Sequence, residues 1–317
     1  MATLAIVREM TPSFLSCDWG TTNFRLRLGD VDPAAAREVR NDSGAAKLAA
    51  SGGDRAAAFR HTLEQGLIDL QVRSDLPVVI SGMASSTIGW MELPYARLPF
   101  ALDGSDVVTA PIDGRVHLVS GFRSDRDMAR GEETQAIGLA SLLGPRLPQR
   151  ARFILPGTHS KHLDILDHRI VSLRTFMTGE LFDVLLRHSV LRHTADLSAP
   201  FEEGAFSEGV TAASREPLTA LLFQTRTRQV LAGCPSGSNA SFLSGVLIGV
   251  ELATLRTASQ EREDDPVFLA AGAALRSAYQ CAARVLGIAG RLEVVDSDSL
   301  TWHGHQVLWK RLTRHNG

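Results

Sequence analysis

The sequence contains few cysteines and no evident export signal. Three cysteines occur among 317 residues, at Cys17, Cys234 and Cys281. Their spacing fits neither a zinc site nor a disulfide framework, and sparse cysteines are typical of proteins in a reducing compartment. The first ten residues also lack a charged segment followed by a long apolar core, so no signal peptide is expected. The sequence therefore predicts a cytoplasmic protein.

The sequence has no large excess of positive or negative charge, and it has no long apolar run. Lys and Arg number 33 against 35 Asp and Glu, for a formal net charge of −2, so no basic surface for nucleic acid is predicted. The most apolar helical window, residues 242–255, is shorter than a membrane span and contains Glu251. We therefore expect neither a nucleic-acid partner nor a membrane partner.

The glycine patterns of the commonest nucleotide-binding folds are absent as well. None of the 27 glycines forms a G-x-G pair, and no G-x-x-x-x-G-K-S/T segment occurs. This excludes the P-loop, the dinucleotide fingerprint and the glycine-rich loop of protein kinases. Any nucleotide site in this chain must use another architecture.

One segment near the start of the chain predicts a strand, a tight turn and a second strand. Its sequence, Cys17 to Leu28, is CDWGTTNFRLRL, with apolar and polar residues alternating after the turn. The turn would gather a carboxylate, exposed backbone N–H groups and hydroxyls, which suit a magnesium–phosphate group. The candidate metal ligand is Asp18, and the candidate phosphate contacts are Gly20, Thr21, Thr22 and Asn23.

A second segment, residues 152–166, repeats this plan. An apolar strand leads to a turn containing Gly157, Thr158 and Ser160, followed by another strand-like run. The pair suggests a duplicated domain whose copies face each other across a nucleotide cleft, although single Gly-Thr turns are common in proteins. Alternating strands and helices predict an α/β fold, divided at a Gly- and Pro-rich linker into lobes 1–147 and 148–317. The patterns also predict a strand at 162–174 and helices at 131–143 and 207–224.

Three further segments carry candidate site residues. Glu132 and Glu133 lie at a predicted helix start, where one could act as a general base, although the helix dipole alone favours acids there. Met83, Ser85 and Ser86 follow a buried strand and could contact a polyhydroxylated substrate. Small residues at Gly272 and Ala273 could let a flat base approach the backbone. Both of these last segments are equally compatible with ordinary packing turns.

Together these segments resemble the 2-keto-3-deoxygalactonate kinase family, within the actin/hexokinase/heat-shock-chaperone superfamily. The resemblance extends over nearly the whole chain and rests on DWGTTNFRLRL (18–28), SGMASSTIGW (81–90), ARGEETQAIGL (129–139), LPGTHSKH (155–162), FMTGEL (176–181) and FLSG (242–245). It implies two ribonuclease-H-like lobes and phosphorylation of the terminal hydroxyl of a small-molecule sugar acid with ATP and Mg²⁺, in galactonate catabolism. It also implies that the turn at Gly272 approaches the adenosine. One departure is notable: superfamily sugar kinases usually place an aspartate where this chain has Glu132 and Glu133.

Several alternatives stay open at this level. The chain could be another sugar or sugar-acid kinase, a non-kinase ATPase or conformational switch, or a phosphatase that uses water as acceptor. The paired glutamates and the short length favour a kinase. Which glutamate is the base, which substrate epimer is preferred, which residues bind the substrate carboxylate, and whether the protein is a homodimer are not decided by the sequence.

Overall fold

The computed structural model describes residues 14–28, 36–255 and 265–314. Within it the chain forms two compact units. The first comprises residues up to Leu147, a short segment at 168–170, and the chain from Asp298 onward; the second comprises 148–167 and 171–297. The break after Leu147 coincides with the division expected from the sequence. The C-terminal segment differs from that expectation, because it packs with the first unit rather than the second.

The first unit is built on a sheet of six strands in the order β3-β2-β1-β4-β8-β7. The strands of this unit are β1 (Leu15–Trp19), β2 (Phe24–Leu28), β3 (Arg37–Asn41), β4 (Val78–Gly82), β5 (Ala96–Arg97), β6 (Phe100–Ala101), β7 (Thr109–Pro111), β8 (Val116–Val119), β9 (Phe122–Arg123) and β10 (Met128–Ala129), and its helices are α1 (Ala45–Ala50), α2 (Arg55–Asp69), α3 (Glu132–Leu143) and α9 (Leu300–Arg314). Strands β1, β4 and β8 are parallel, and β2 is antiparallel to β1. Because β4 is central and covered on both faces, its five residues are all buried.

Close helix contact explains why the C-terminal helix belongs to the first unit. A Cβ added at Gly138 of α3 would lie 2.0 Å from the Leu300 carbonyl oxygen, and one at Gly304 of α9 would lie 2.0 Å from that of Thr134. The two helices therefore touch through their backbones. In addition, Ser16 of β1 and the buried His305 of α9 are joined by a 2.7 Å hydrogen bond.

The second unit repeats the strand order of the first. Its elements are β11 (Arg150–Leu155), β12 (Ser160–Leu166), β13 (Arg169–Phe176), α4 (Thr178–His188), α5 (Glu203–Ala213), α6 (Leu218–Ala232), α7 (Ser236–Ala253), β14 (Val267–Ala270), α8 (Ala273–Val285) and β15 (Leu292–Val295). These strands follow the order β13-β12-β11-β14-β15, with β14 and β15 parallel to β11 and β12 antiparallel to it. In both sheets the first strand pairs antiparallel with the second and parallel with the fourth, and a further parallel strand (β8 or β15) follows the fourth, which confirms the α/β class and two ribonuclease-H-like units.

Two element predictions in the second unit are wrong. The strand expected at 162–174 is two strands joined by a tight turn, in which Asp167 and His168 have φ of 49° and 59°. Two positive φ values mark a hairpin turn that asparagine and glycine usually signal, and neither residue is present here. The helix expected at 207–224 is likewise two helices, because Pro217 begins α6 and cannot continue α5.

The longest apolar helix is buried within the second unit. On α7, a Cβ at Gly245 would lie 2.0 Å from the Phe206 carbonyl oxygen, so α5 and α7 pack at backbone distance. The glycines of this helix therefore serve packing. No helix among residues 14–28, 36–255 and 265–314 combines the length and apolar character needed to cross a membrane.

Candidate active site

The first hairpin presents its turn at the carboxyl edge of the first sheet. Thr21, Thr22 and Asn23 are exposed, and the turn is closed by a 2.8 Å hydrogen bond from the Gly20 N–H to the Asn23 carbonyl. Asp18 is only partly exposed, and within the described residues its carboxylate accepts no hydrogen bond. The structure therefore brings the five residues predicted for metal and phosphate together in one turn.

Asp18 lies in a row of charged residues that crosses three strands. In the strand register Asp18 lies opposite Arg25 on β2, and Arg25 lies opposite Arg40 on β3. All three residues line a pocket of about 510 Å³ beside the turn. Burial raises the pKa of Asp18, whereas the two arginines oppose that rise. A half-buried carboxylate that accepts no hydrogen bond from the described residues would gain from a bound cation.

Glu38 holds the arginines of this row in place. It pairs with Arg25 at 2.7 Å and with Arg27 at 2.9 Å, and it also contacts Arg40. Hydrogen bonds from Arg40 and Arg25 lower the pKa of Glu38 although burial opposes this. One carboxylate thus orients three cations beside Asp18.

The turn of the first hairpin rests on the start of α1. The Ala45 N–H donates to the Gly20 carbonyl and the Ala46 N–H donates to the Thr21 carbonyl, each at 3.0 Å. The approach is so close that a Cβ at Gly44 would lie 2.4 Å from the Thr21 carbonyl oxygen. Because Gly44 has no side chain, the start of α1 can approach the turn closely enough to make these hydrogen bonds.

The start of α3 joins this edge of the sheet. Trp19 of β1 lies beside Gly82 of β4 in the strand register, and a Cβ at Gly131 would lie 3.5 Å from the Gly82 Cα. Gly131 has φ of 104°, a conformation that favours glycine. The residue immediately after it is Glu132, so the candidate base is brought close to the turn that follows Asp18.

The two glutamates at this helix start have different surroundings. Glu132 is partly exposed, and its carboxylate accepts from the Arg130 N–H at 2.9 Å. Glu133 is fully buried and accepts from the Gly131 N–H at 2.6 Å and from the Thr134 hydroxyl at 3.0 Å. Burial and the nearby Glu132 raise the pKa of Glu133 to about 8. At neutral pH, Glu133 is thus mainly protonated.

The loop after β4 is more internal than the sequence suggested. Met83 is partly exposed, but the Ser85 hydroxyl donates to the Val119 carbonyl at 2.6 Å and the Ser86 hydroxyl to the Met83 carbonyl at 2.8 Å. Arg130 fixes the same loop, donating to Ser85 at 2.6 Å and stacking 4.2 Å from the Tyr95 ring. Both serines therefore shape the loop in this conformation, and the substrate contact expected of them stays a prediction.

The second hairpin has an equivalent support. Gly157 and Thr158 are exposed at its turn, and the Thr158 carbonyl accepts from the Glu180 N–H at the start of α4 at 3.0 Å. A Cβ at Gly179 would lie 2.6 Å from the Gly157 carbonyl oxygen. Ser160 differs from the expectation, because it is fully buried and its hydroxyl donates to an internal carboxylate.

The turn at Gly272 and Ala273 shares an edge with this second hairpin. Strands β11 and β14 are parallel and Ile154 pairs with Leu269, so the chain leaves both strands at the same end of the sheet. Gly272 is the N-cap of α8, and Ala273 is exposed. A Cβ at Gly272 would make only an ordinary 3.6 Å contact with Ser297, so packing does not require glycine there.

The two hairpins differ in their capacity to hold a metal. Two residues before the turn glycine, the first hairpin has Asp18 whereas the second has Leu155. Among the described residues, no group of three His, Cys, Asp or Glu side chains could form a metal cage. The chemistry fits Mg²⁺, which is usually held by one or two carboxylates together with phosphate oxygens and water. Asp18 is the residue that would hold it.

Sequence reasoning missed several residues of this region. Arg25 and Arg40 become neighbours of Asp18 only through strand pairing, although the alternation of arginines on β2 is visible in the sequence. Gly44 and Gly179 carry no motif, and their role follows from backbone contacts alone.

Comparison with known proteins agrees with this geometry. A family model described as 2-keto-3-deoxy-galactonokinase matches residues 18–308. The chain is 33% identical over 296 residues to the 2-dehydro-3-deoxygalactonokinase DgoK1 of Rhizobium meliloti (strain 1021), which covers 90% of this chain and 92% of that protein. It is 30% identical over 286 residues to the 2-dehydro-3-deoxygalactonokinase of Escherichia coli (strain K12), and this alignment covers 88% of this chain and 91% of that protein.

A solved structure shows the same fold. A crystal structure from Sinorhizobium meliloti, assigned as a 2-dehydro-3-deoxygalactonokinase, aligns with a TM-score of 0.81 at 32% identity and covers 94% of this chain and 99% of that chain. The chain belongs to the 2-keto-3-deoxy-galactonokinase family.

Proposed function

We propose that this protein transfers the terminal phosphoryl group of ATP, in the presence of Mg²⁺, to the 6-hydroxyl of 2-keto-3-deoxygalactonate in galactonate catabolism. One observation supports this most directly. In a chain of this kinase family, Asp18, the largely exposed turn Gly20–Asn23 and the partly exposed Glu132 meet at one edge of the first sheet. That edge, at the carboxyl ends of parallel strands, is where ligands bind in open α/β sheets.

The geometry supports a division of labour among the acids. Glu132, which is partly exposed, would orient the acceptor hydroxyl and take its proton as the new O–P bond forms and the bond to the ADP oxygen breaks. Glu133 is buried and mainly protonated, so it would fix the helix start and not act as the base. When bound at Asp18, Mg²⁺ would neutralise phosphate charge.

The cations and backbone donors would bind anionic groups. Arg25 and Arg40 line the pocket beside Asp18 and suit phosphate or carboxylate oxygens. The turn at Gly157 and Thr158 would bind ATP phosphates through its N–H groups and hydroxyl, and the turn at Gly272 would lie against the adenosine. Ser160 is buried below this turn, so it would support the turn and not contact the phosphates directly.

The decisive experiment measures ADP release from MgATP with a set of acceptors. The set contains 2-keto-3-deoxygalactonate, its gluconate epimer, galactonate, glycerol and a sample without acceptor. We expect strong stimulation by the 2-keto-3-deoxy acids alone, with the product phosphorylated at the 6-position. Equal ADP release in all samples would refute the proposal and leave an ATPase. Stimulation by a different acceptor alone would support the kinase activity but refute the proposed substrate.

A further inference from the structure

A buried carboxylate lies beneath the turn of the second hairpin. Glu251 is the only acid in the apolar helix α7, and its side chain is 1% exposed. It accepts hydrogen bonds from Ser160 at 2.7 Å, from His162 at 3.0 Å, and from Thr178. Tyr279 donates to both of its carboxylate oxygens, at 3.1 and 3.0 Å. Four donors thus converge on one acid.

The protonation of this cluster follows from its contacts. Burial alone would raise the pKa of Glu251, but hydrogen bonds from His162, Ser160 and Thr178 lower it below the ordinary value. The carboxylate is therefore ionised at neutral pH and acts only as an acceptor. The Nε2 atom of His162 must consequently carry a proton, and its ring packs 4.6 Å from that of Phe176.

The four donors come from the elements that surround the turn. Ser160 and His162 belong to β12, the strand that leaves the turn, and Thr178 begins α4, the helix that supports it. Thr178 also precedes Gly179, whose backbone touches Gly157. Glu251 therefore holds the strand that leaves the turn and the helix that supports it.

The fourth donor links the cluster to another part of the unit. Tyr279 lies on α8, which begins just after Gly272. The same carboxylate thus connects the hairpin that we assign to phosphate with the helix that follows the turn we assign to adenosine. Gly157 and Thr158 at the tip remain exposed, so the cluster anchors the turn and leaves its outer face open.

We propose that Glu251 is a positioning residue that fixes the second hairpin, and with it the start of α8, in the geometry that binds ATP. This inference rests on the proposed kinase function. Glu251 touches no reacting atom in this assignment. It acts through the turn at Gly157 and Thr158, so its loss should weaken binding of ATP more than binding of the sugar acid.

The test is Glu251→Gln in the full-length protein, which keeps the side-chain size but removes the charge and one acceptor oxygen. We expect KM for MgATP to rise about tenfold or more, KM for the sugar acid to change less than twofold, and kcat to recover largely at saturating ATP. The matched control is Glu216→Gln, which alters an exposed glutamate of the same unit and should leave both KM values unchanged. Equal rises in both KM values, or an unchanged KM for MgATP, would overturn the inference.

Two milder variants keep the inference testable if Glu251→Gln does not fold. Tyr279→Phe and Thr178→Val each remove one donor while the acid is retained, and each should raise KM for MgATP about two- to fivefold with little change for the sugar acid. An unchanged KM for MgATP in both would overturn the inference. A wild-type protein that shows no acceptor-dependent turnover would refute the kinase assignment instead. An active wild type with unaffected variants would refute only the role of Glu251.

Discussion

Glu132 and Glu133 are neighbours in the sequence, yet burial gives them different chemistry. Glu132 is partly exposed at the start of α3, whereas Glu133 is fully buried with a pKa of about 8. A general base must reach the substrate and be ionised before the reaction. Glu133 meets neither requirement at neutral pH, whereas Glu132 is partly open to solvent, and we therefore propose Glu132 as the base.

This difference predicts opposite results for two matched substitutions. Glu132→Gln should lower kcat by about 100-fold or more, the scale of a lost general base. Glu133→Gln should lower it less than about fivefold, because an amide resembles the protonated acid present at neutral pH. Steady-state kinetics of the two variants at pH 7 provide the measurement. A large loss in Glu133→Gln with a mild effect in Glu132→Gln would reverse the assignment.

The raised pKa of Glu133 also predicts a pH-dependent stability. Its ordinary value is 4.5 and its value in the folded protein is about 8, so between these pH values the folded state keeps a proton that the unfolded chain has released. The stabilising contribution is complete below about pH 4.5 and is lost as the pH rises through about 8. Glu133→Gln removes this titration, so its melting temperature relative to wild type should increase from pH 5 to pH 9. A constant difference across that range would contradict the burial of the acid.

Asp18 offers a third test at this scale. Asp18→Asn should leave the fold intact and reduce kcat by about 100-fold or more, similar to the loss of a group that stabilises transition-state charge. The Mg²⁺ concentration that gives half-maximal activity should also be higher for Asp18→Asn than for the wild type. The control is Asp75→Asn, an exposed acid at the opposite end of β4. Wild-type turnover in Asp18→Asn would refute the metal assignment.

Among the elements, each hairpin turn is supported by the beginning of a helix. The contact requires Gly44 beneath the first turn and Gly179 beneath the second. Both units place this pair of elements at the carboxyl edge of their sheets. If the two turns bind phosphate as we propose, we expect their position, and not only their composition, to determine that binding.

Gly44→Ala tests this support. The added Cβ would lie 2.3 Å from the Thr22 carbonyl carbon, so the turn must shift, at a cost of about 1–3 kcal/mol typical of overpacking. We expect a lower melting temperature and a KM for MgATP raised several-fold. Gly114→Ala is the control, since nothing lies within 4 Å of its added Cβ. Equal behaviour of the two variants would show that the turn does not depend on this contact.

The sequence predicted elements well where local chemistry determines them. Helix 131–143 is observed as Glu132–Leu143, because two acids at the helix start and a following run of mostly apolar, helix-forming residues lie within one segment. The hairpins were recognisable for the same reason. Contacts between distant segments were not predictable: Arg40 reaches Asp18 only through two strand pairings, and Glu251 appeared merely as a charge interrupting an apolar helix. Burial, which separates Glu132 from Glu133, likewise depends on tertiary packing.

At the scale of the whole molecule, the first unit is discontinuous in sequence. Its last helix, α9, follows the entire second unit in the chain and supplies buried residues to the first. Leu300, Trp302, His305 and Leu308 of this helix are all nearly inaccessible to solvent. The boundary of a unit is thus set by packing and not by chain order.

Truncation after Ser297 should therefore damage the distant part of the chain. Each large apolar side chain removed from α9 contributes about 1.5–3 kcal/mol, and together they are comparable to the stability of a typical domain. We expect limited proteolysis to cleave within residues 36–147 first, while 148–255 resists longer. A chain ending at residue 314 is the control. Preferential cleavage of the second unit would contradict the packing of α9.

The position of α9 has a consequence for how the protein is made. A ribosome synthesises the chain from its N-terminus, so the 150 residues from 148 to 297 are added before α9 exists. At about 5–20 residues per second this takes roughly 8–30 s. During that interval the sheet carrying Ser16 and Asp18 has no final helix to cover it. The half of the protein translated first is thus the last to be completed, and a premature stop codon near the end of the gene would harm the beginning of the protein.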